Sequence, residues 1–372
     1  MRVALVTPRY LPDVGGVESH VRQIANHLAH GGDEVDVITL GSVRRLPPVD
    51  SDGHVRVRRF PSRPLPSGVG TPGRLARYLR AHGSDYDVVH VHNYQSLLPL
   101  AACVVPGSRL VMTPHYHATS PSRLSTALRS VYRPVGGRTI CRAERVICVS
   151  HAERQLVQAE LGVAPDALTV IPNGVDAAAL RRAEPFPITT PVVLVLGRVE
   201  RYKRVDRVIK AMALVRQPAQ LVVVGDGEAR SALERLATEL GVGASTVRFV
   251  GRADDHDVRR WLATARVVVT LSEIEAFGLT VIEGLTSGSR VVASDIPAFR
   301  EVAASLPGAA IRLVPADADA ARIAEYLHTA LADPGPPPTV TGVEWSEVAR
   351  RTREVYLEVI AGARNGAGNR RR

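Results

Sequence analysis

Residues Leu271 to Glu301 read LSEIEAFGLTVIEGLTSGSRVVASDIPAFRE, and this stretch decides how the rest of the chain is interpreted. The apolar run RVVVTL before it predicts a buried strand, which ends in a loop that holds Glu273 and Glu275. A helix is expected to begin at about Gly278. A strand, a short loop and a helix N-terminus together leave backbone N–H groups that can bind an anion. The stretch therefore predicts a phosphate site at Gly278 to Thr280.

Two carboxylates flank this predicted site. Glu275 precedes it, and Glu283 follows eight positions after Glu275. Because carboxylates repel a phosphate, we expect them to accept hydrogen bonds from hydroxyl groups that are attached to it. That combination describes a sugar nucleotide, although a solvated glutamate pair beside a buried helix is the alternative on these residues alone.

The spacing of these residues resembles a known signature. A glutamate, seven residues and a second glutamate mark the retaining glycosyltransferases of the GT-B fold, and the matching residues here are Glu275, Phe277, Gly278 and Glu283. The wider pattern is similar to glycosyltransferase family 4 over nearly the whole chain, including IPNGVD at Ile171 to Asp176. The resemblance implies an α/β protein with two Rossmann-like, doubly wound domains that face a cleft.

The chain departs from the family pattern just after Glu283. The family has a small-residue run similar to A-M-A-x-G, whereas Gly284 and Thr286 stand here. Each should weaken the helix by up to about 1 kcal/mol relative to alanine. The departure therefore concerns the rigidity of the helix more than its chemistry.

Length and patterning predict the domain organisation. A chain of 372 residues is too long for one ordinary core, and apolar runs alternate with helical periodicity on both sides of the proline-rich segment 184–191. Four parts are predicted: an N-terminal domain at 1–183, a second domain at 184–344, a helix at 345–361 and a disordered tail at 362–372. The resemblance implies that the first is the acceptor domain and the second the nucleotide-sugar donor domain. The resemblance implies that the helix packs back on the N-terminal domain.

Charge and hydropathy limit the location of the protein. The formal net charge is +10, yet Lys203 and Lys210 are the only lysines, a skew typical of a GC-rich genome. Residues 88–143 contain arginines but no Asp or Glu, and the helix-like segment 121–131 could contact an anionic membrane or cover the N-terminal sheet. We favour the covering role. Since no apolar run is long enough to span a bilayer, a cytoplasmic protein is expected, with peripheral contact to the inner face of the membrane left open.

A second set of candidate residues follows the first strand of the donor domain. The sequence VLVLGRVERYK places Arg198 and Lys203 in the loop after that strand. Cations there would neutralise a diphosphate leaving group as its charge develops. The pair is similar to the Arg-Lys pair of the resembled family.

Glycine and arginine residues at other strand ends are weaker candidates. Gly15 and Gly16 enter the first helix, where a tight turn is an equally good explanation, and the resemblance implies that this loop covers the donor diphosphate. Gly225 and Arg252 follow later strands, and the resemblance implies that their loops border the nucleotide base. A nicotinamide cofactor is disfavoured because the fingerprint G-x-G-x-x-G is missing.

Histidines occur in two pairs, His90 with His92 and His115 with His117, each at a strand end. We predict no metal site, because neither stretch supplies a cysteine or carboxylate partner. The resemblance implies that His115 lies near the donor sugar and the reacting carbon, with His117 as the fallback. Short Asp-x-Asp matches precede a strand or begin helices, so they are interpreted as caps and not as metal ligands.

The sequence therefore predicts a metal-independent retaining glycosyltransferase without a cofactor. It would move a sugar from a UDP- or GDP-linked donor to the hydroxyl of a glycan, a lipid-linked sugar or a small metabolite, and nucleic acid is not expected as a partner. The predicted catalytic residues are His115, Glu275, Arg198 and Lys203. The predicted donor-binding residues are Gly15, Gly16, Gly225, Arg252, Phe277, Gly278, Leu279, Thr280 and Glu283. A GT-B nucleotide-sugar isomerase and a non-catalytic nucleotide-sugar binding protein are the alternatives.

Overall fold

A computed structural model describes residues 1–13, 15–41, 47–62, 71–103, 105, 109–117, 136–243, 245–333, 335 and 343–369, with side chains as far as residue 363 at the C-terminal end. The helix predicted at 121–131 lies outside the described residues. Within the described ranges, no helix is both long enough and apolar enough to cross a membrane.

The described residues form two units, each with its own parallel sheet. One unit comprises Met1–Gly174 with Trp345–Arg372, and the other comprises Val175–Glu344. The division falls before the predicted boundary at residues 183 and 184. The reason is that the helix Ala177–Arg182 packs against helices of the second unit.

The first unit is built on an eight-stranded sheet with the order β3-β4-β2-β1-β5-β6-β7-β8. Its strands are β1 (Arg2–Thr7), β2 (Glu34–Gly41), β3 (Val49–Asp52), β4 (Val55–Pro61), β5 (Val88–His92), β6 (Leu110–Thr113), β7 (Arg145–Cys148) and β8 (Leu168–Val170). Its helices include α1 (Gly16–His30), α2 (Gly73–His82), α3 (Leu98–Ala102) and α4 (His151–Leu161), and residues 136–140 are also helical. Only β3 runs antiparallel among these strands, and its polar sequence VDSD carries no strand pattern that would have predicted it.

The second unit is built on a six-stranded parallel sheet with the order β11-β10-β9-β12-β13-β14. Its strands are β9 (Val192–Leu196), β10 (Gln220–Val224), β11 (Val247–Gly251), β12 (Ala265–Thr270), β13 (Arg290–Ser294) and β14 (Ile311–Val314). Its helices are α5 (Ala177–Arg182), α6 (Val205–Met212), α7 (Arg230–Glu239), α8 (Asp255–Thr264), α9 (Leu279–Thr286), α10 (Pro297–Ser305) and α11 (Ala320–Ala332). The apolar runs that predicted these strands are buried because helices cover both faces of a parallel sheet.

The last helix, α12 (Trp345–Asn369), belongs to the first unit although it follows the second along the chain. Arg353 donates to the buried carboxylate of Asp33, and the hydroxyl of Tyr356 lies 2.7 Å from Nδ1 of His90. The helix extends past its predicted end at residue 361, so the tail predicted to be disordered is helical as far as Asn369.

Candidate active site

The loops that follow β9 and β12 form the best candidate site of the second unit. The chain proceeds from β9 to β10 on one side of the sheet and later continues through β12 on the other side. Such a reversal of strand order is the switch point at which open α/β sheets bind ligands, beyond the carboxyl ends of the strands. The loop after β9 holds Arg198 and Lys203, and the loop after β12 holds Glu275.

The structure brings Lys203 and Glu275 into direct contact. Nζ of Lys203 lies 2.5 Å from Oε1 of Glu275, and the two side chains are only 18% and 21% exposed. Burial lowers the pKa of Lys203, but the carboxylate of Glu275 outweighs burial and raises that pKa above its ordinary value. An ammonium group is thus held in the charged form at the switch point.

Further contacts join the two loops beside this ion pair. The N–H of Glu273 donates to the backbone oxygen of Tyr202 over 2.9 Å, and Arg204 forms an ion pair with Glu273. Arg198 is half-exposed, and its Nη2 donates to the hydroxyl of Tyr202 over 3.2 Å. The predicted cation pair therefore consists of a sequestered lysine and a more accessible arginine, and sequence reasoning missed the part of Tyr202 in joining the loops.

The first turn of α9 supplies the predicted anion site. Gly278 adopts φ 111° at its N-cap, and a Cβ there would lie 2.7 Å from Cε1 of Phe299, so the turn requires glycine. Phe277 is buried, whereas Leu279 and Thr280 are partly exposed. The N–H of Val281 already donates to the oxygen of Gly278 over 3.0 Å. The N–H groups of Leu279 and Thr280 come before the first carbonyl that the helix can offer them, which suits these two to bind phosphate oxygens.

Glu283 lies one turn further along α9. The residue is half-buried, and burial together with the nearby charge of Asp255 raises the pKa of its carboxyl to about 7. Near neutral pH this group can therefore either donate or accept a hydrogen bond.

Gly225 has a structural reason to be glycine. Its φ is 133°, and a Cβ would lie 1.9 Å from the backbone oxygen of Gly197, where the loops after β9 and β10 touch. Its own N–H donates to the oxygen of Gly251 at the end of β11. Close packing of three strand ends explains this residue, while Arg252 lies exposed beside it.

In the first unit, Gly15 and Gly16 lie where α1 begins. Gly15 is the N-cap in an extended conformation, so its backbone does not require glycine. A Cβ there would meet the carboxylate of Glu18 at 2.5 Å, which a flexible side chain could relieve. A donor-binding role for either glycine stays a prediction.

His115 follows β6 and adopts φ 47°, a left-handed conformation that is uncommon outside glycine. It packs in a cluster with His20 of α1 and His92 at the end of β5, with ring centroids 4.9 Å and 5.8 Å from that of His115. One ring nitrogen from each of the three lies within 4.8 Å of the others. We call these three residues the histidine cluster.

Sequence reasoning missed His20, which lies on the buried side of α1. Its helical spacing gave no sign that it would meet two strand-end histidines. His117, the fallback candidate, lies with a ring nitrogen 3.2 Å from the amide nitrogen of Gln95. Burial lowers the pKa values of all three cluster members, that of His20 to about 4, so their rings are neutral.

Comparison with known families agrees with this architecture. Residues 14–179 match the model of Glycosyltransferase Family 4, and residues 176–350 match that of Glycosyl transferases group 1. A phosphatidyl-myo-inositol mannosyltransferase of Mycolicibacterium smegmatis is 32% identical, over 100% of this chain and 98% of that protein. A D-inositol 3-phosphate glycosyltransferase of Catenulispora acidiphila is 30% identical, over 95% of this chain and 93% of that protein.

Solved structures share the fold at lower identity. Sucrose-phosphate synthase from Thermosynechococcus elongatus has a TM-score of 0.75 at 23% identity, covering 100% of this chain and 98% of that one. Anabaena HepE in complex with UDP and glucose has a TM-score of 0.71 at 20% identity, covering 99% of each chain.

Two Rossmann-like units with a lysine–glutamate pair at a switch point define a glycosyltransferase of the GT-B fold. The chain belongs to the group 1 glycosyltransferases with a family 4 N-terminal region, and it is an enzyme of the hexosyltransferase class. The predicted family and fold are confirmed.

Proposed function

We propose that the chain transfers a sugar from a nucleoside diphosphate sugar, UDP- or GDP-linked, to an acceptor hydroxyl with retention of anomeric configuration. The observation that carries the proposal is the Lys203–Glu275 pair, held at the switch point of the second sheet beside the first turn of α9. Cations and free N–H groups suit the diphosphate, and a carboxylate with a spare oxygen suits sugar hydroxyls.

The proposal assigns each residue of the site a role in binding the donor. Glu275 accepts hydrogen bonds from donor hydroxyls, and Glu283 accepts them from the ribose. Lys203 and Arg198, with the N–H groups of Leu279 and Thr280, neutralise the departing diphosphate. His115 orients the donor sugar, as the family resemblance implies.

The proposed reaction is a front-face substitution. The bond from the anomeric carbon to the phosphate oxygen breaks while the acceptor oxygen bonds to the same face of that carbon. The departing phosphate oxygen takes the acceptor proton. No carboxylate among the assigned residues is left to act as a nucleophile, and the charge of the leaving group is met by cations of the protein, so no divalent metal is required.

We propose an inositol phosphate, free or lipid-linked, as the acceptor. The support is that relatives at 30–32% identity over almost their whole length are named for transfer to D-inositol 3-phosphate or to phosphatidyl-myo-inositol. Assays with inositol 3-phosphate, phosphatidylinositol vesicles and unphosphorylated inositol would distinguish the free and lipid-linked forms. Turnover of neither phosphorylated acceptor would contradict this acceptor class.

The two lysines of the chain provide a matched test of the site. We expect Lys203→Met and Glu275→Gln to lower transfer at least a hundredfold without unfolding the protein, because each removes one half of the ion pair. Lys210→Met should keep wild-type activity, since Lys210 is half-exposed and lies 4.0 Å from Asp206 at the surface of α6. Full activity in either site variant would refute the assignment.

Acceptor dependence separates transfer from the alternatives. An isomerase or a binding protein would not release nucleoside diphosphate in an acceptor-dependent manner. The anomeric configuration of the product, read by NMR, tests retention. A loss of activity after treatment with EDTA would contradict metal independence.

A further inference from the structure

The histidine cluster has the composition of a metal site. His20 and His92 are buried, and residue His115 is partly exposed although its Nε2 is buried. Among the described residues, no hydrogen-bond partner meets Nε2 of His20, either ring nitrogen of His92 or Nε2 of His115. Leaving such polar atoms buried and unpaired is costly, which suggests that something else completes them.

The spacing of the rings fits a tetrahedral ion. With zinc–nitrogen distances of about 2.0–2.1 Å, tetrahedral geometry places the centroids of three ligating imidazoles about 5 Å apart. The observed centroid separations are 4.9 Å for His20 and His115, 5.4 Å for His20 and His92, and 5.8 Å for His92 and His115. The separations agree with that geometry to within about 1 Å, and one nitrogen of each ring already lies within 4.8 Å of the others.

A neighbouring side chain fixes the tautomer of His20, as the outer partners of metal-ligating histidines do. Nδ1 of His20 lies 2.7 Å from Oδ1 of Asn173, an oxygen that can only accept, so Nδ1 carries the proton and Nε2 keeps its lone pair. His90 contacts His92 but is already satisfied, because Thr113 and Tyr356 occupy its two nitrogens. It is excluded as a fourth ligand.

We propose that His20, His92 and His115 bind one divalent transition-metal ion of the zinc class, with the fourth position open to water or an anion. Three neutral nitrogen ligands suit zinc and similar ions and do not suit magnesium or calcium, which prefer oxygen.

A bound ion would withdraw Nε2 of His115 from the donor sugar, so the metal inhibits transfer. This consequence rests on the proposed function, whereas metal binding itself does not. Binding without inhibition would overturn the role of His115 in transfer and leave the metal site intact.

The site is tested on the purified full-length chain by equilibrium dialysis against Zn²⁺ and by the visible absorption of added Co²⁺. We expect one equivalent of Zn²⁺ per chain and intense Co²⁺ bands of tetrahedral nitrogen coordination. His20→Ala and His92→Ala should each abolish the bands, and Asn173→Ala should weaken binding about 10–100-fold, because outer partners of ligating histidines contribute that much.

The control is His256→Ala. His256 is exposed and forms, with Asp254 and the partly exposed Asp257, a second group that could hold an ion. This variant should bind like wild type. Near-UV circular dichroism without metal shows whether each variant is folded, and Asn173→Ala keeps the test decisive if a ligand variant unfolds. No stoichiometric uptake by the folded wild type, or retained Co²⁺ bands in folded His20→Ala, would overturn the proposal.

Discussion

Among single residues, Glu283 gives the clearest prediction of how donor binding should depend on pH. Burial raises its pKa from an ordinary 4.5 to about 7, so the folded state favours the protonated form. The proposed ribose contact needs the carboxylate. We therefore expect the KM for the donor to rise about tenfold for each pH unit below about 7, measured in initial-rate assays between pH 5.5 and 8.

The raised pKa of Glu283 also predicts that the stability of the protein falls as the pH rises, whereas donor binding improves. Because the pKa of Glu283 is higher in the folded than in the unfolded state, the folded state binds this proton more tightly. The resulting stability is fully present below the unfolded pKa and is lost as the pH rises towards 7. Glu283→Gln should therefore raise the free energy of unfolding at pH 8 by up to about 3 kcal/mol while it weakens donor binding. Urea unfolding at pH 8 and at pH 4.5 measures the difference, which should shrink at the lower pH. An equal effect at both pH values would contradict the assigned pKa.

At the level of elements, α9 illustrates how packing overrides helix propensity. Gly284 weakens the helix by propensity, yet a Cβ there would lie 2.9 Å from Cγ2 of Val268 in β12. The glycine allows the helix backbone to approach the sheet closely. Gly284, which departs from the family pattern and lowers helix propensity, is therefore explained by the close packing of α9 on β12.

Gly284→Ala should consequently destabilise the protein by about 1 kcal/mol, because overpacking costs about 1–3 kcal/mol and the propensity gain is about 1 kcal/mol. Thr286→Val, two residues on, is the matched control. Thr286 is buried, and its hydroxyl has no hydrogen-bond partner among the described residues, so removing that hydroxyl should stabilise by about 1 kcal/mol. Denaturant melts measure both changes, and a stabilised Gly284→Ala would show that the contact with Val268 yields easily.

The first turn of α4 holds the loop that carries His115. Glu153 is buried there, and its carboxylate accepts from the N–H of Tyr116 over 2.5 Å and from that of Val149 over 2.6 Å. Ser150 caps the helix by accepting from the N–H of Glu153. One carboxylate thus joins the ends of β6 and β7.

Glu153→Gln should lower the free energy of unfolding by about 2–3 kcal/mol, because each carboxylate oxygen accepts from one of the two N–H groups and glutamine replaces one of these oxygens with an NH₂ donor. We also expect a fall in kcat, since residue 116 adjoins His115. The exposed Gln155→Ala on the same helix serves as the comparison and should change stability by less than about 0.5 kcal/mol. Calorimetry with parallel rate assays tests both effects, and a variant as stable as wild type would remove Glu153 from this role.

For the whole molecule, the packing of α12 on the first unit determines which C-terminal truncations the fold tolerates. Its Arg353 pairs with Asp33, which also binds the N-terminal ammonium group, and its Tyr356 contacts the buried His90. A chain that ends at Glu344 should lose the unfolding transition of the first unit and keep that of Val175–Glu344. A chain that ends at Gly362 should melt like the full protein, because α12 keeps these contacts. Scanning calorimetry distinguishes the cases, and an unchanged first transition without α12 would contradict this account.

The sequence alone determined the class of fold and predicted which loops of the second unit carry the candidate site. Buried parallel strands must be apolar throughout, so runs such as that before Leu271 were visible, and the loops after them had to carry the polar chemistry. The contact between Lys203 and Glu275 follows from the order of strands, with β9 next to β12, which the local pattern does not contain.

Only the tertiary structure decided which distant residues meet. His20 meets His92 and His115 because the strand order places β5 beside β1, the strand that α1 follows, and β6 beside β5. Helical periodicity records only that a residue faces inward. Gly284 proved to be a packing residue for the same reason. Local sequence specifies periodicity and turn chemistry, whereas contacts between elements depend on topology. The histidine cluster could therefore be recognised only from the tertiary structure.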